Sequence, residues 1–345
     1  MSRKLLMPGA LIRDTHTIVR HLGSGAFGDV YLSRHRYMGL QALKTFSLDD
    51  NSDALEEAYL LAKLGHRNIV RMFEANDFEH CGKQMGYFTM EYIEGGSLRG
   101  AAENQEIGTK DRIGIGKDIL SGLAFAHAQQ PPIIHRDISP SNILVQRTGH
   151  ARTAKISDFG LAKHIDTESM IASAAGKYLY MAPESFLDIH STATDVYAAS
   201  VVLFELFTGT HPFKFSLSST ATPKEVAEVV RQSRQSDIPA VINFNGDLSA
   251  SWDGFFRAAL AHDYEARPKD AGALLRFYEE TLAAEPAELP LPSELVGLID
   301  RAMFLSQQAV TLDEAIQALD EACASPAVRF KYGDLLSQWK AGIMG

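Results

Sequence analysis

The chain has 345 residues, of which 46% are hydrophobic and 22% are charged, and its formal net charge is −10. This composition is typical of an ordinary globular protein and excludes a disordered or fibrous one, while the acidic balance argues against nucleic-acid binding driven by bulk electrostatics. No apolar run approaches the ~18 residues of a membrane-spanning helix, and Met1–Pro8 lacks a signal-peptide core. We therefore expect a cytoplasmic protein with neither a nucleic acid nor a membrane as its partner.

The two cysteines, Cys81 and Cys323, lie far apart in the sequence and belong to no Cys/His cluster. This pattern indicates neither a disulfide framework nor a zinc site. We expect free thiols in a reducing compartment.

Residues 1–94 are predicted to form a small, mostly β lobe with one helix. Aliphatic, β-branched and aromatic residues predict strands over 17–22, 30–32, 40–46, 69–75 and 86–93. N-cap candidates at 51–53 and apolar residues at helical spacing predict one amphipathic helix over 52–64.

Residues 95–284 are predicted to form a larger, mostly α lobe. Helices are expected over 110–129, 192–208, 222–234, 252–262 and 269–284, with an irregular stretch between the first two. The segment 192–208 is apolar on nearly all sides, which indicates a buried helix. Residues 285–345 begin with a proline-punctuated linker and continue as a helical C-terminal extension. The predicted class is α+β with two lobes.

A glycine-rich segment lies between the first two predicted strands. Gly23, Gly25, Gly28 and Val30 fit the pattern GxGxxGxV. In dinucleotide-binding folds a GxGxxG runs from a strand into a helix, whereas here strand character resumes at 30–32. This favours a hairpin that covers phosphates, because glycines let the backbone approach phosphate oxygens. Taken alone, the segment also fits an ordinary glycine hairpin.

Three further motifs follow in the larger lobe. His135–Leu144 reads HRDISPSNIL, Asp158–Gly160 reads DFG, and Ala182–Glu184 reads APE. With the glycine-rich segment, in this order and over about 11–282, they resemble the eukaryotic-type protein kinase family. The resemblance implies a bilobal protein kinase fold. It also implies ATP-dependent transfer of the γ-phosphoryl group to Ser/Thr hydroxyls of a protein substrate, including autophosphorylation.

The resemblance implies a chemical role for a few polar side chains. Asp137 would accept a hydrogen bond from the substrate hydroxyl and orient it. Lys44, on the third predicted strand, would contact the α- and β-phosphates of ATP. Asn142 and Asp158 would supply oxygen ligands to Mg²⁺, with Mn²⁺ as an alternative ion.

In the family layout, a helix glutamate holds the strand lysine in place. A lysine in a half-closed cleft needs a carboxylate partner to stay charged and aimed. Glu57 is favoured for this role over its neighbour Glu56. The reason is its position relative to His66–Val70, which resembles the exit of the family's helix.

Residues of both lobes are expected to enclose the nucleotide. Val30, Ala42 and Leu144 would sandwich the adenine, Met90 would guard the pocket behind it, and the backbone of 91–93 would bind its edge. The complete expected set is Leu22, Gly23, Gly25, Gly28, Val30, Ala42, Lys44, Glu57, Met90, Glu91, Ile93 and Leu144. Core packing accounts equally well for its apolar members.

Three buried polar residues are expected to be structural. Asp195 lies near the start of the buried helix, where an unpaired carboxylate is costly. The resemblance implies that Asp195 caps backbone amides of the loop His135–Asn142. Glu184 and Arg267 resemble the family's buried ion pair.

The sequence departs from the Ser/Thr branch of the family in two places. That branch usually reads HRDxKPxN, and Ser139 stands at the lysine position. Lys177 stands where the family has a threonine that touches both the aspartate and that lysine. We hypothesise that Lys177 restores the lost charge as a further catalytic residue; a solvated loop lysine is the alternative. Pro140 and Asn142 still favour Ser/Thr over Tyr specificity.

Two rival functions and two open questions remain at this point. A pseudokinase or nucleotide-binding scaffold is suggested by Ser139, and a small-molecule kinase is opposed by Arg267 and the APE motif, which build a peptide platform.

The hydroxyls of Thr167, Ser169 and Ser173 are interpreted as ordinary loop hydroxyls in preference to phosphorylation sites. If one of them is phosphorylated, Ser169 and Ser173 are the first candidates. The helices of 293–345 either pack on the large lobe or form a docking or self-association module.

Overall fold

The computed structural model describes residues 6–25, 28–48, 64–104, 107–149, 151–159, 178–215, 222–245 and 248–284. The predicted α+β fold with two lobes is confirmed. The smaller lobe holds one antiparallel sheet of six strands in the order β1-β2-β3-β4-β6-β5. These strands are β1 (Leu11–Ile12), β2 (His16–Gly25), β3 (Gly28–His35), β4 (Gly39–Ser47), β5 (Met72–His80) and β6 (Lys83–Glu91).

The central strand β4 separates two apolar clusters because successive side chains point to opposite faces of a sheet. Leu43 packs with Tyr31 and Tyr87 on one face. Ala42 packs with Met90 on the other face, and these two residues are also cross-strand partners. The same alternation places Lys44 on the face of Ala42, towards the second lobe.

The larger lobe is mostly helical. Its described helices are α1 (Leu98–Asn104), α2 (Thr109–His127), α3 (Thr192–Thr208), α4 (Pro223–Ser233), α5 (Ser251–Ala259) and α6 (Ala271–Ala283). Helix α3 has the bounds predicted from the sequence and is the buried centre of the lobe. A capping box at Ser191 and Thr194 begins it, and Gly209 ends it in the left-handed conformation at φ 72°.

The expectation of an irregular stretch between the first two long helices was wrong over residues 143–156. Strands β7 (Ile143–Thr148) and β8 (Ala151–Ile156) form a two-stranded hairpin there. The polar and basic residues at the hairpin tip hide the strand pattern, and pairing between the strands supplies what the local sequence lacks. Helix α1 was likewise not predicted, and β5 lies further along the chain than the predicted strand over 69–75.

Several expectations lie outside the described residues. These are the helix over 52–64 with Glu56 and Glu57, the segment with Gly160, Thr167, Ser169, Ser173 and Lys177, and the C-terminal extension with Cys323. Within the described part of the chain, no helix is long and apolar enough to cross a membrane. Cys81, in the turn between β5 and β6, is an exposed free thiol.

Candidate functional site

An apolar cleft lies between the two lobes, and the residues expected to enclose adenine meet there. Ala42, Met90 and Ile93 form a buried cluster, against which Leu22, Val30 and Leu144 pack. Leu144 comes from the larger lobe. It reaches the cluster because Ser97 forms an isolated β-bridge with Leu144, and Val145 N–H donates to the Gly96 carbonyl at 2.9 Å. The structure therefore brings together side chains that are 122 positions apart in sequence, from Leu22 to Leu144.

Met90 closes the back of this cleft. A cavity of about 30 Å³ lies behind it, lined also by Phe88 and Phe159. The next residue, Glu91, makes an ion pair with Lys155 of β8 at 2.9 Å, which joins the segment between the lobes to the larger lobe. Its own N–H donates to the Arg71 carbonyl at 2.8 Å.

The glycine-rich segment is the turn between β2 and β3. Gly28 pairs with Gly25 across this hairpin and has φ 136°. A Cβ at Gly28 would lie 1.7 Å from the Thr45 carbonyl oxygen, so no other residue fits without moving β4. Ser24 Oγ donates to Asp29 Oδ1 at 2.6 Å, which ties the two strands together beside the turn.

An ion pair between a buried lysine and a half-buried aspartate lies at the polar end of the cleft. Lys44 Nζ is 2.6 Å from Asp158 Oδ1, and the Lys44 residue is 4% exposed. The ammonium also lies 5.8 Å from the centre of the Phe88 ring. A charge-assisted hydrogen bond of this length fixes the lysine at the cleft, while the Asp158 side chain stays 27% exposed. The predicted helix partner Glu57 lies outside the described residues; among the described residues, Asp158 is a partner of Lys44.

Asp137 and Asn142 are joined within one loop. Asn142 Nδ2 donates to the Asp137 carbonyl at 2.7 Å and to Asp137 Oδ2 at 3.0 Å. The first bond fixes the backbone at Asp137, and the second orients its carboxylate. They also commit the amide nitrogen of Asn142, so the amide oxygen is the atom left to face a cation.

The loop that carries Asp137 is held from below by Asp195. Its carboxylate accepts the N–H of His135 at 2.6 Å and that of Arg136 at 2.9 Å, and it is 1% exposed. The predicted capping of loop amides by Asp195 is confirmed. Two backbone donors to one buried carboxylate satisfy the charge that would otherwise be costly there.

A buried histidine completes this support, and the sequence analysis missed it. His127 Nδ1 accepts the N–H of Ala271 at 3.1 Å, so the neutral ring donates from Nε2 to Asp195 at 3.0 Å. A histidine in the last turn of α2 has no spacing relation to Asp195. Only the packing of α2, α3 and α6 brings the three groups together, so no local signal could have found it.

The backbone is strained on both sides of the site. Arg136 has φ 67° and Asp158 has φ 60°, in the left-handed region that residues other than glycine rarely adopt. His135 connects the two places, because its Nε2 contacts the Ser157 carbonyl at 2.8 Å and its ring packs on Phe159 at 4.6 Å. Strain of this kind persists where surrounding contacts over-determine it, and such places cluster at active sites.

The predicted buried ion pair of the larger lobe is confirmed. Arg267 Nη1 and Nη2 donate to the two carboxylate oxygens of Glu184 at 2.7 and 3.0 Å. Arg267 Nε donates to the Ala261 carbonyl at 2.6 Å, and its guanidinium stacks on Tyr197 at 4.6 Å. The pair anchors the short 3₁₀ helix Pro183–Leu187 against the lobe.

A groove of about 240 Å³ runs beside the loop His135–Asn142. Pro140 of that loop lines it together with Arg99, Tyr180 and Glu205. Tyr180 Oη donates to Glu205 Oε2 at 2.7 Å, and burial, with this hydrogen bond, raises the pKa of Tyr180. The groove therefore has a fixed polar wall formed by the turn Tyr178–Tyr180.

The residues present fit a hard divalent cation bound together with a nucleotide. Among the described residues, no group of three His, Cys, Asp or Glu side chains could hold a metal by itself. The expected ligands are one carboxylate and one amide, Asp158 and Asn142. Such a small oxygen set suits a cation that keeps waters and phosphate oxygens as its remaining ligands.

Ser139, at the position of the family's lysine, is buried. Its carbonyl accepts the N–H of Asn142 at 3.0 Å, so it closes the turn that carries Asn142. Its short neutral side chain brings no positive charge to the site. Lys177, the expected substitute, lies outside the described residues.

Comparisons with known proteins agree with this geometry. The sequence model of the family described as "Protein kinase domain" matches residues 16–277. The chain is similar to the probable serine/threonine-protein kinase PknB of Lactococcus lactis, with 29% identity over 79% of this chain and 42% of that protein. It is also similar to PknB of Mycobacterium tuberculosis, with 30% identity over 87% of this chain and 48% of that protein.

The chain thus spans about half the length of the curated relatives that it matches, or less. Among solved structures, it is similar to the PknI kinase domain of Mycobacterium tuberculosis, with a TM-score of 0.58 and 22% identity. That match covers 81% of this chain and 99% of the other. At this identity it supports the fold.

Proposed function

The chain belongs to the protein kinase family, and we propose that it transfers the γ-phosphoryl group of ATP to Ser/Thr hydroxyls of a protein substrate, itself included. Protein kinases use ATP and a divalent cation and act on proteins. The observation that carries the proposal is the pair of bonds from Asn142 to Asp137, at 2.7 and 3.0 Å. The names of the relatives give the pseudokinase alternative no support.

Asp137 is the proposed catalytic base of this reaction. Asp195 fixes the two backbone N–H groups that precede Asp137, those of His135 and Arg136, and Asn142 orients the Asp137 carboxylate. A carboxylate held in this way accepts the hydrogen bond of an incoming hydroxyl and orients its oxygen for in-line attack. The protein has little covalent chemistry to perform, because phosphoryl transfer depends mainly on positioning and charge neutralisation.

Lys44, Asn142 and Asp158 are proposed to hold the phosphates and the cation. ATP, when bound, supplies the phosphoryl group, and Mg²⁺, with Mn²⁺ as an alternative, neutralises phosphate charge. Lys44 Nζ lies 2.6 Å from Asp158, and this contact supports the proposal that the ammonium binds the α- and β-phosphates beside the cation. Leu22, Val30, Ala42, Met90, Ile93 and Leu144 would enclose the adenine.

The proposal is tested by transfer from γ-³²P-ATP to myelin basic protein, with Asp137→Asn beside the wild type. A positioned general base contributes about 10²–10⁴-fold, so we expect a loss of that size. Asp237→Asn, at an exposed position after α4, is the matched control and should keep wild-type activity. Phosphoamino-acid analysis should find phosphoserine and phosphothreonine. Equal low activity of the wild type and Asp137→Asn would refute the proposal in favour of a pseudokinase.

The missing lysine charge is proposed to come from Lys177. Ser139 is buried and neutral and brings no positive charge to Asp137, which supports a source on another element. Lys177→Ala should lower transfer, and Ser139→Lys combined with Lys177→Thr should restore it. Full activity of Lys177→Ala would mean that Lys177 is an ordinary loop lysine.

The cytoplasmic location and the role of the C-terminal residues stay predictions. Fractionation of cells that produce the tagged chain would test the location. Deletion of 290–345, followed by measurement of solubility and transfer, would separate packing on the large lobe from self-association or docking. An insoluble product favours packing.

A further inference from the structure

Arg234, directly after helix α4, reaches under the turn Tyr178–Tyr180. Its guanidinium is buried, with the residue 2% exposed. Arg234 Nη2 donates to the carbonyl of Tyr178 at 3.2 Å and also to the carbonyl of Leu179. One side chain thus binds two successive carbonyls of the turn that walls the groove.

His211 binds the same turn from another element. Its Nδ1 accepts the N–H of Phe213 at 3.1 Å, so the neutral ring donates from Nε2 to the Leu179 carbonyl at 2.8 Å. The Leu179 carbonyl is therefore held by two donors, one after α3 and one after α4. These two bonds fix the position of the turn relative to the helices of the larger lobe.

The positive charge of Arg234 is expensive where it lies. Among the described residues, no carboxylate forms an ion pair with it, and its Nε and Nη1 atoms are buried without a hydrogen bond. Burial lowers the pKa of Arg234. Partial compensation comes from the rings of Phe213 at 4.7 Å and Tyr197 at 5.7 Å. An uncharged side chain of similar length would avoid this desolvation cost but would not donate to the carbonyls of Tyr178 and Leu179, so the arginine is retained for its bonds to the turn.

The turn held by Arg234 borders a groove that lies beside the loop of Asp137. Tyr180 and Pro140 line one groove, and Pro140 belongs to the loop of Asp137. The Tyr180 side chain is locked by its hydrogen bond to Glu205. A displacement of the 178–180 backbone would therefore change the groove wall beside the loop of Asp137, the residue proposed to orient the substrate hydroxyl. The residues around the adenine pocket belong to other elements and do not contact Arg234.

We propose that Arg234 is a positioning residue for the protein substrate. It holds the turn Tyr178–Tyr180 in the position, relative to the loop of Asp137, that binding of the acceptor segment requires. This inference rests on the proposed kinase function. It adds a residue whose loss should weaken binding of the acceptor but not binding of ATP. His211 has the same role through the shared Leu179 carbonyl.

The test compares Arg234→Met with Arg231→Met, an exposed arginine of α4 that pairs with Glu228. KM and kcat for myelin basic protein, KM for ATP, and ATP hydrolysis without acceptor are measured. Arg234→Met should raise KM for the acceptor at least about tenfold, the equivalent of one strong hydrogen bond. KM for ATP and acceptor-free hydrolysis should stay within about twofold of the wild type, as all values should for Arg231→Met.

Arg234→Lys gives a second reading if Arg234→Met does not fold. It keeps the charge but loses the planar group that spans two carbonyls, so we expect a smaller rise in the acceptor KM in the same direction. An acceptor KM equal to that of Arg231→Met overturns the inference, as does a parallel loss of ATP binding. A wild type that transfers nothing overturns the kinase function itself, and the inference with it.

Discussion

Removal of Arg267 should expose how much the buried ion pair contributes to stability. Arg267→Met keeps an unbranched apolar chain against Tyr197 but removes both bonds to Glu184, at 2.7 and 3.0 Å. Glu184 is 5% exposed, so its carboxylate loses its partner where water cannot replace it. The Ala261 carbonyl also loses its donor.

The expected cost follows from the fate of the carboxylate. Breaking a buried pair by removing one partner costs about 3–5 kcal/mol, because an uncompensated charge stays behind. Native domains have roughly 5–15 kcal/mol of stability, so the loss is a large fraction of it. At about 2–4 °C per kcal/mol for a domain of this size, Tm should fall by about 6–20 °C.

The assay is urea unfolding followed by circular dichroism, with a double-mutant cycle. Glu184→Gln combined with Arg267→Met removes both charges, so the double variant should be clearly more stable than Arg267→Met alone. Arg257→Met, at an exposed site on α5, is the control and should change stability by less than about 0.5 kcal/mol.

Two results would refute this reasoning. One is a loss below about 1 kcal/mol in Arg267→Met, which would place the pair with surface ion pairs. The other is additivity, in which the double variant loses the sum of the two single changes. Additivity would mean that the side chains contribute through packing and not through each other.

Two further predictions concern the glycine hairpin and the response to acid. Gly28→Ala should raise KM for ATP and lower Tm, because its Cβ would lie 1.7 Å from the Thr45 carbonyl oxygen. Gly39→Ala is the control, because Gly39 has φ 83° but open space around it, so that this variant carries the backbone strain alone. Equal effects of the two variants would contradict the steric argument. Burial lowers the pKa of His211 below its usual 6.5, so the unfolded chain binds the proton more tightly than the folded one. The stability from neutral His211 is therefore full above pH 6.5 and is lost as pH falls from there through the lowered folded pKa. The urea midpoint of unfolding should therefore fall less steeply with falling pH in His211→Gln than in the wild type. The control His262→Gln, at an exposed position, should show the same pH dependence as the wild type. An unchanged pH dependence in His211→Gln would contradict the assignment to His211.

Much of the fold was predictable because local patterns agreed with it. Helix α3 is apolar on nearly all sides and lies between a capping residue and Gly209, so its bounds followed from the sequence alone. The hairpin β7–β8 was missed for the opposite reason. Its stability comes from cross-strand pairing and from packing under the cleft, and its polar tip carries no strand signal.

The sequence by itself determined the family and the chemical inventory of the cleft. Motifs around Gly28, Asp137 and Asp158 have fixed order and spacing, and a short motif constrains its own backbone whatever surrounds it. The partners of Asp195 and Arg267 were also predicted from the sequence. A charge in an apolar segment requires a partner, and the resemblance to the family indicated which partner it would be.

Only the tertiary structure decided which distant groups meet. The 2.6 Å contact of Lys44 with Asp158 joins the two lobes, and His127 reaches Asp195 through the packing of three helices. The same is true of Arg234, which no motif marks and which binds the carbonyl of Leu179, 55 positions away in the sequence. The physical reason is that these contacts depend on how whole helices and strands pack against one another. A local residue pattern does not specify which distant residues will lie beside it.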